Sequence, residues 1–406
     1  MKRNIKIVAQ LATNNYALFA FEEIKNENVL IYNKEYRNQE NFIDFFKDAI
    51  NELNISLKTK ATEIFVYLKE TKNTQMQIKN FSTEISVKNK KSIISKKEIQ
   101  MIQEKAKNEQ IDEAFNLVSF STLMYHLKTE DKEVNTTEVP LKMTAKSLKA
   151  DFSGFFIDKE TYQKITNIFS SLNLKVVQIL TNEIVKSQMI KQEYNSDYSA
   201  TIINIDDLDA FVAHVDKSLI TRISKVDFSF NNLIDHFKNN FGLSLGQITR
   251  GLKIFGRIFE NLDNYDRSSV IIANLAIQDF LDAITQYFQK IALIVQKISY
   301  NNHKPLVLCG TINNYFNTKA ILKNLVNKDI NVIKQKSNKT ISKQAREVLY
   351  GINFLAENFK INSTSFSTLL HTQNISFSQL LKTKHTFSNL ISKLLNRKNH
   401  IKENYA

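Results

Sequence analysis

The order strand-strand-strand-helix occurs twice along this chain, and this repetition constrains the fold more than any short motif does. Each occurrence consists of three apolar runs of strand length followed by apolar residues at helical spacing. The first lies at residues 5–9, 16–21, 28–36 and 41–53, and the second at residues 200–205, 210–215, 218–226 and 230–241. A duplicated order of this kind predicts an α/β protein with two related lobes.

Further elements are predicted between and after the two occurrences. Ser95 and Glu98 stand at the N-cap and capping-box positions of one helix, and Asp158 is placed to cap another. Strands are predicted at residues 63–68, 115–127, 134–141, 148–157, 176–180 and 305–309, and helices at residues 96–107, 159–172, 182–193, 271–298, 317–325 and 342–359. The segment after the last helix is rich in serine and threonine, which predicts a linker.

Composition narrows the class of protein. The 406 residues suffice for one large core or for two to three ordinary domains. The single cysteine, Cys309, excludes an internal disulfide framework and fits a reducing cytosol. No apolar run approaches the roughly 18 residues that span a bilayer, and a polar turn interrupts the first apolar run too early for a signal peptide. The net charge of +14 favours an anionic partner, although a bias toward Lys, Asn and Ile accounts for part of it.

Glycine is scarce in this chain. There are seven glycines, none before Gly154 and none between Gly154 and Gly242. Backbone that wraps a phosphate needs close approach and often a positive φ, which glycine adopts at least cost. A glycine-based phosphate cradle is therefore excluded in those two regions, and neither GxxxxGK[ST] nor GxGxxG occurs anywhere.

Several segments together resemble one family, and the most diagnostic of them contains the turn Pro140-Leu141-Lys142-Met143. They lie at residues 7–22 (IVAQLATNNYALFAFE), 94–127, 139–165, 169–183, 200–242 and 304–325. In this order they resemble the first phosphate hairpin, the two parts of the subdomain 1C insert, the return to subdomain 1A, the second phosphate hairpin with its helix, and the adenosine-side turn of FtsA. FtsA is the bacterial actin-like protein that tethers FtsZ to the membrane at the division site.

The resemblance implies the actin-like ATPase fold, in which two hairpins face each other and hold ATP, with an FtsA-type 1C insert. It also implies a division of the chain into subdomains. These are subdomain 1A at 1–84, the 1C insert at 85–165, the return to 1A at 166–199, subdomains 2A and 2B with a closing 1A helix at 200–360, a flexible linker at 361–385 and an amphipathic membrane-targeting helix at 386–400.

The first phosphate hairpin departs from the family pattern. The family turn has Asp and Gly before Thr or Ser, whereas this chain has Gln10 and Ala12, followed by Thr13 and Asn14. A neutral amide does not hold a magnesium-bound water as a carboxylate does. The hairpin is therefore interpreted as structural.

The second hairpin and the adenosine turn depart as well. The second turn lacks glycine and carries Asn204, Asp206, Asp207 and Asp209, of which Asp206 and Asp207 are expected to repel a γ-phosphate. In the adenosine turn only Gly310 remains, before Thr311, and the Ala-Glu pair that precedes a family lysine is missing near Lys253. We expect a pseudo-ATPase that is not an enzyme and has no metal site. ATP with Mg²⁺ in an atypical mode stays open but disfavoured.

Basic residues suggest where a partner binds. In FtsA, subdomain 2B receives the FtsZ tail, and the matching stretch here is short and carries Lys253, Arg257 and Arg267. These cations would attract an acidic tail, although ordinary surface charge is the slightly favoured explanation for each of them taken singly.

The C-terminal segment 386–398 (TFSNLISKLLNRK) has one apolar stripe and basic flanks. The apolar residues recur at helical spacing, and they are Phe387, Leu390, Ile391, Leu394 and Leu395; the cations are Lys393, Arg397 and Lys398. Such a helix is marginal in water but is stabilised on an anionic lipid surface. It resembles the FtsA membrane-targeting helix, and the alternative is a helix that folds back on the core.

Three functions stay open at this stage. The first is an FtsA-like adaptor, peripheral on the inner face of the cell membrane, that binds the FtsZ tail and anionic lipids and self-associates head to tail through the 1C insert. The second is an active actin-superfamily ATPase, and the third is a PilM-type or other actin-like membrane scaffold. Phe-rich runs without alternating basic residues disfavour nucleic acid as the partner.

Overall fold

The structure is a computed structural model that divides into two compact units. One contains the described residues up to Thr181 together with Gly351 and Ile352, and the other lies within Asn182–Tyr350. The described residues are 4–13, 15–24, 27–36, 42–71, 73–89, 92–110, 112–194, 198–216, 219–226, 229–258, 271–272, 275–299, 304–314, 319, 322–323, 330–332 and 345–352.

The first unit contains nine strands and three helices among the described residues. In chain order they are β1 (Ile5–Leu11), β2 (Tyr16–Ile24), β3 (Glu27–Tyr36), α1 (Phe42–Leu57), β4 (Glu63–Leu68), β5 (Met76–Ser86), α2 (Lys96–Glu109), β6 (Phe115–Lys128), β7 (Glu133–Thr136), β8 (Ser147–Asp158), α3 (Lys159–Ser171) and β9 (Lys175–Thr181).

The second unit repeats the strand-strand-strand-helix order with which the first unit begins. In chain order it contains α4 (Asn182–Tyr194), β10 (Ala200–Ile205), β11 (Ala210–Asp216), β12 (Leu219–Lys225), α5 (Phe230–Phe241), α6 (Leu245–Ile258), β13 (Ile271–Ile272), β14 (Leu275–Ala276), α7 (Ile277–Ser299), β15 (Leu306–Cys309), a 3₁₀ turn (Thr311–Asn314) and β16 (Ile330–Val332). Residues 345–352 are helical.

The main sheets of the two units have the same topology. The first has the order β3-β2-β1-β4-β9 and the second the order β12-β11-β10-β15-β16. In each, the first three strands are antiparallel and the last two join in parallel. The two lobes predicted from the repeated order are therefore confirmed.

Apolar patterning explains the cores. In the first unit, α1 buries Phe42, Phe45 and Phe46, and the ring of Phe42 packs edge-to-face against Tyr16 at 4.6 Å between centroids. In the second, Phe237 on α5 stacks on Phe280 of α7 at 4.6 Å. Aromatic pairs in these geometries add about 0.5–1.5 kcal/mol beyond area burial.

A separate sheet interrupts the first unit between β4 and β9. Its order is β5-β8-β6-β7, and α2 packs on one face over a core that includes Ile99, Ile102 and Phe152. The capping box predicted for α2 is present, with Glu98 accepting from the Ser95 N–H at 2.9 Å. We call the segment Met76–Asp158 the insert.

The bounds of several elements differ from those predicted. The insert sheet begins at Met76 rather than at residue 85 and ends before α3, and β5 was missed because only Thr83 and Ile85 of its side chains are buried. The β7 strand is Glu133–Thr136, which shares only residues 134–136 with the predicted 134–141. Helix α4 groups with the second unit, not with the predicted return at 166–199.

Two errors occur in the second unit. Helix α6 was not predicted. Residues 271–272 and 275–276, predicted as part of a helix, instead form the short β13–β14 pair, since isoleucine and leucine runs of this length do not distinguish strand from helix. The predicted linker at 361–385 and the helix at 386–400 lie outside the described residues.

Candidate functional site

The turn between β1 and β2 is held by a carboxylate of its own unit. The strands pair antiparallel with Gln10 opposite Ala17. The backbone N–H of Thr13 donates to Glu70 Oε2 at 2.8 Å, and the Thr13 hydroxyl donates to the same oxygen. Burial, together with the Glu70 charge, raises the pKa of Tyr16 to about 12.

Gln10 lies in the centre of this sheet. Both Gln10 and Ala12 are buried, and neither amide atom of Gln10 bonds to a residue within the described ranges. Asn14 lies outside those ranges. An unsatisfied buried amide costs about 1–3 kcal/mol.

The turn between β10 and β11 points one aspartate inward and one outward. Asp206 is 8% exposed and its N–H donates to Asp209 O at 2.8 Å, which closes the turn without glycine. Asp207 is exposed, and Asn204 is buried at the end of β10.

Asp206 is the centre of a buried hydrogen-bond network. Its Oδ1 accepts from the Thr311 N–H at 3.1 Å and from the Thr311 hydroxyl at 3.3 Å. Its Oδ2 accepts from the amides of Asn182 at 3.2 Å and Asn204 at 3.0 Å. Such multiple donors stabilise the ionised form of a carboxyl group.

Lys186 on α4 balances the charge of this network. Its side chain is 1% exposed, with Nζ 3.5 Å from Asp206 Oδ2 and 3.0 Å from Glu347 Oε1. Burial alone would lower the pKa of Lys186, but the two carboxylates outweigh burial and raise it. The neighbouring Cys309 is buried as well, and burial raises the pKa of its thiol to about 12.

A second buried ion group lies on the same unit. Lys225 of β12 pairs with the fully buried Glu183 and lies 3.6 Å from Asp209 Oδ2. Burial would lower the pKa of Lys225, but these carboxylates outweigh it and raise the pKa. Asp206 and Asp209 of the turn therefore each face a lysine of their own unit.

Gly310 is required by the backbone around it. Its φ is +105°, and a Cβ built there would lie 2.2 Å from Ile205 O. The turn that follows β15 therefore packs directly on the end of β10, and only glycine fits.

The two aspartates of the second turn differ in their surroundings. The sequence predicted that Asp206 and Asp207 repel a γ-phosphate; in the structure Asp206 faces Lys186 and Asp207 is exposed. The sequence did not reveal the partners, which are Glu70, Glu183, Lys186, Lys225 and Glu347. Residues 182–190 of α4 are buried, although the polar composition of this helix is not that of a buried helix.

Two of the three basic residues proposed for partner binding lie within the described part of the chain. Lys253 is exposed on α6, and Arg257 lies in the last turn of that helix. Arg267 lies outside the described residues, as do the predicted membrane-binding residues of segment 386–398. Within the described ranges no cluster of three or more His, Cys, Asp or Glu side chains is arranged to hold a metal ion.

The duplicated β3-β2-β1-β4-β9 order places this chain in the class of actin-like ATPase-fold proteins. No protein-family model matches the chain, and no curated protein matches it by sequence. Among the described residues, no helix has the length and apolar character needed to cross a bilayer.

Solved structures similar to this chain belong to the same fold class. One is the PilM-PilN type IV pilus biogenesis complex, with 10% identity, coverage of 87% of this chain and 98% of that chain, and a TM-score of 0.49. Another is MreB5 of Spiroplasma citri bound to ADP, with 10% identity, coverage of 88% and 98%, and a TM-score of 0.43. The ethanolamine utilization protein EutJ of Carboxydothermus hydrogenoformans has 10% identity, coverage of 82% and 85%, and a TM-score of 0.39. The fold assignment rests on the sheet topology alone.

Proposed function

We propose that this chain is an FtsA-like adaptor that associates with the inner face of the cell membrane and binds ATP weakly or not at all. The observation that carries the nucleotide part is the occupation of Thr311 by Asp206, whose Oδ1 accepts both donors of that residue. The equivalent donors of Thr13 are occupied by Glu70. In both turns a carboxylate of the chain takes the donors that an anion would need.

Displacing either carboxylate is costly. Asp206 would leave behind the amides of Asn182 and Asn204 and the ammonium of Lys186, all buried. A buried charge that loses its partner costs about 3–5 kcal/mol. A phosphate that remained beside Asp206 would meet a like charge at short range.

Titration calorimetry of ATP-Mg into the full chain tests this proposal. We expect no binding stronger than about 1 mM. The matched variant is Glu70→Gln with Asp206→Asn, which removes both negative charges while keeping side-chain size. Tighter binding by the variant would support occupation of the donors as the cause. Micromolar binding with turnover by the parent chain would contradict the proposal.

The membrane part of the proposal rests on segment 386–398. Partial burial of its apolar stripe at about 1–2 kcal/mol per large side chain, plus up to about 1 kcal/mol per nearby cation, outweighs the cost of ordering a short helix. Leu394→Glu places a charge in the stripe and should abolish sedimentation with anionic vesicles. Leu381→Glu, upstream of the stripe, is the matched control and should sediment like the parent. If Leu394→Glu also sediments like the parent, this segment is not the anchor.

The partner part of the proposal is the acidic FtsZ C-terminal tail. Lys253 is exposed on α6 and offers a cation to such a tail. A pull-down with the FtsZ C-terminal peptide should retain the full chain and release it at raised salt. Lys253→Glu should weaken retention, and Lys132→Glu on the insert should not. Equal retention by both variants would contradict this surface.

The insert supports self-association as in the FtsA family. It lies between β4 and β9 in chain order, where the resemblance places subdomain 1C. Head-to-tail contacts give open filaments when the rotation between subunits does not close a ring. Negative-stain images on anionic vesicles should show short filaments, and removal of residues 76–158 should abolish them. Unchanged filaments after that deletion would exclude the insert as the contact.

A further inference from the structure

We infer that the groove between α2 and the free edge of β5 binds an acidic peptide in extended conformation, which adds to the insert sheet as a further strand. β5 lies at the edge of the order β5-β8-β6-β7. The groove has a volume of about 970 Å³. On one side it is lined by Glu84 and Ser86 of β5 and by Lys88 just after that strand, and on the α2 side by Lys97, Met101 and Lys105.

The backbone of β5 presents hydrogen-bonding groups to this groove. Val87 N–H donates to Lys146 O at 2.8 Å, so residues 83, 85 and 87 face β8 in the antiparallel ladder. Glu84 and Ser86 therefore direct their N–H and C=O groups outward. Both residues line the groove, as does Ile85 between them, and an extended peptide pairs with such an edge through its main chain.

One side chain now covers this edge. Lys105 Nζ donates to Glu84 O at 2.7 Å, which satisfies a backbone acceptor that an added strand would otherwise pair. Lysines at sheet edges prevent unwanted strand pairing in this way. An arriving peptide would replace this bond. The Lys105 ammonium also lies 3.4 Å from Glu109 Oε1, so a carboxylate of the peptide would share this cation with Glu109.

Charge selects an acidic occupant. Lys88 and Lys97 are exposed and have no ion-pair partner among the residues that the structure describes. Two acidic residues line the groove. Glu84 is exposed on β5, whereas Glu98 is held by Ser95 and Asn89, and although burial opposes it, these bonds lower the pKa of Glu98 to about 2. The neighbouring segment 86–97 (SVKNKKSIISKK) is strongly basic.

The groove also offers an apolar contact to alternate side chains of a strand. Met101 is 43% exposed on the α2 wall, where it lies one turn from both Lys97 and Lys105. Methionine adapts to varied partners. A peptide that alternates acidic and apolar residues fits this arrangement, with its carboxylates on the lysines and its apolar side chains on Met101.

Fluorescence anisotropy on the full chain tests the inference. The probe is a labelled peptide of about six residues that alternates glutamate and valine, compared with a lysine–valine peptide of the same length. A third peptide keeps the glutamate–valine sequence but is N-methylated at alternate residues, which removes main-chain donors. We expect salt-sensitive binding of the first peptide only. No binding, or equal binding of any two peptides, would overturn the inference.

Paired substitutions locate the site. Lys88→Glu with Lys97→Glu should weaken binding of the glutamate–valine peptide by at least about tenfold. Lys128→Glu with Lys132→Glu makes the same charge change near the opposite edge of the insert sheet and should leave binding unchanged. Circular dichroism checks the fold, and the N-methylated peptide gives the same discrimination without any substitution. Equal losses in both variants would show general charge attraction instead of this groove.

The chain itself is the other candidate occupant. Its C-terminal segment is basic, so it does not complement the groove, and deletion of residues 361–406 should leave peptide affinity unchanged. Tighter peptide binding after the deletion would show that the segment had occupied the groove, and would overturn the inference.

Discussion

Asp206 Oδ1 accepts both the backbone N–H of Thr311, at 3.1 Å, and its hydroxyl, at 3.3 Å. The same pair of donors on Thr13 binds Glu70 in the other unit. In both units, therefore, a carboxylate of the same unit accepts the hydrogen bonds of the threonine N–H and hydroxyl.

Lys186 is expected to be the most sensitive single residue of the second unit. Lys186→Met leaves Asp206 and Glu347 without their buried counter-charge and should destabilise the unit by about 3–5 kcal/mol. Combining it with Asp206→Asn and Glu347→Gln removes all three charges and should recover most of the loss. Denaturant midpoints measure both variants. A triple variant no more stable than the single one would contradict the charge explanation.

Gln10 is expected to cost stability where it lies. Gln10→Met keeps the length of the side chain but removes the buried amide, and should raise the free energy of unfolding by about 1–3 kcal/mol. Gln163→Met, at an exposed position of α3, is the control and should change it by less than about 0.5 kcal/mol. Destabilisation by Gln10→Met would mean that the amide has a partner outside the described residues.

Lys142 occupies a backbone conformation that favours glycine. Its φ is +68° in the turn that follows Pro140, and its N–H donates to Ile94 O at 2.8 Å. A side chain in the left-handed region costs about 1–2 kcal/mol, partly offset by the lower unfolded-state entropy of a non-glycine residue. Lys142→Gly should therefore stabilise the insert by up to about 1 kcal/mol, whereas Lys142→Ala should not. Equal thermal midpoints for the two variants would contradict this.

His126 is expected to make the stability of the insert depend on pH. Its Nε2 lies 2.7 Å from Asp151 Oδ2, and this bond raises the pKa of His126 above its ordinary 6.5. The pair therefore stabilises fully below about pH 6.5, provided Asp151 is ionised, and the contribution is lost as pH rises through the raised pKa. Thermal midpoints across this range should show the slope for the parent and lose it for His126→Gln. The imidazole of His236 bonds to Asn240 instead of a carboxylate, so the control variant His236→Gln should keep the slope of the parent.

The sequence predicted the elements whose apolar pattern is strong. β4, β10 and α5 have the predicted bounds because each combines an unbroken or strictly periodic apolar run with clear polar ends. β5 failed this test, since only Thr83 and Ile85 of its side chains are buried and the others are partly or fully exposed. The apolar pattern of a sequence indicates which residues are buried. It therefore does not reveal a strand such as β5, most of whose side chains are at least partly exposed.

The candidate site was predicted only in part. The turns and their missing glycines were evident, but the pairing of Lys186 with Glu347 joins residues 161 positions apart, and local pattern contains no information on such a contact. Thr13 and Thr311 were named without the carboxylates that hold them. Long-range ion pairs depend on how distant helices and strands pack together, and that packing is known only once the fold is known.

Gly310 shows how a surviving motif residue can mislead a search for ligand sites. Because a side chain there would collide with the carbonyl of Ile205, the glycine is needed whether or not any molecule binds nearby. The glycine allows the turn after β15 to pack against the end of the neighbouring parallel strand β10. Glycine would therefore still be required at position 310 in a chain whose turn had lost every function.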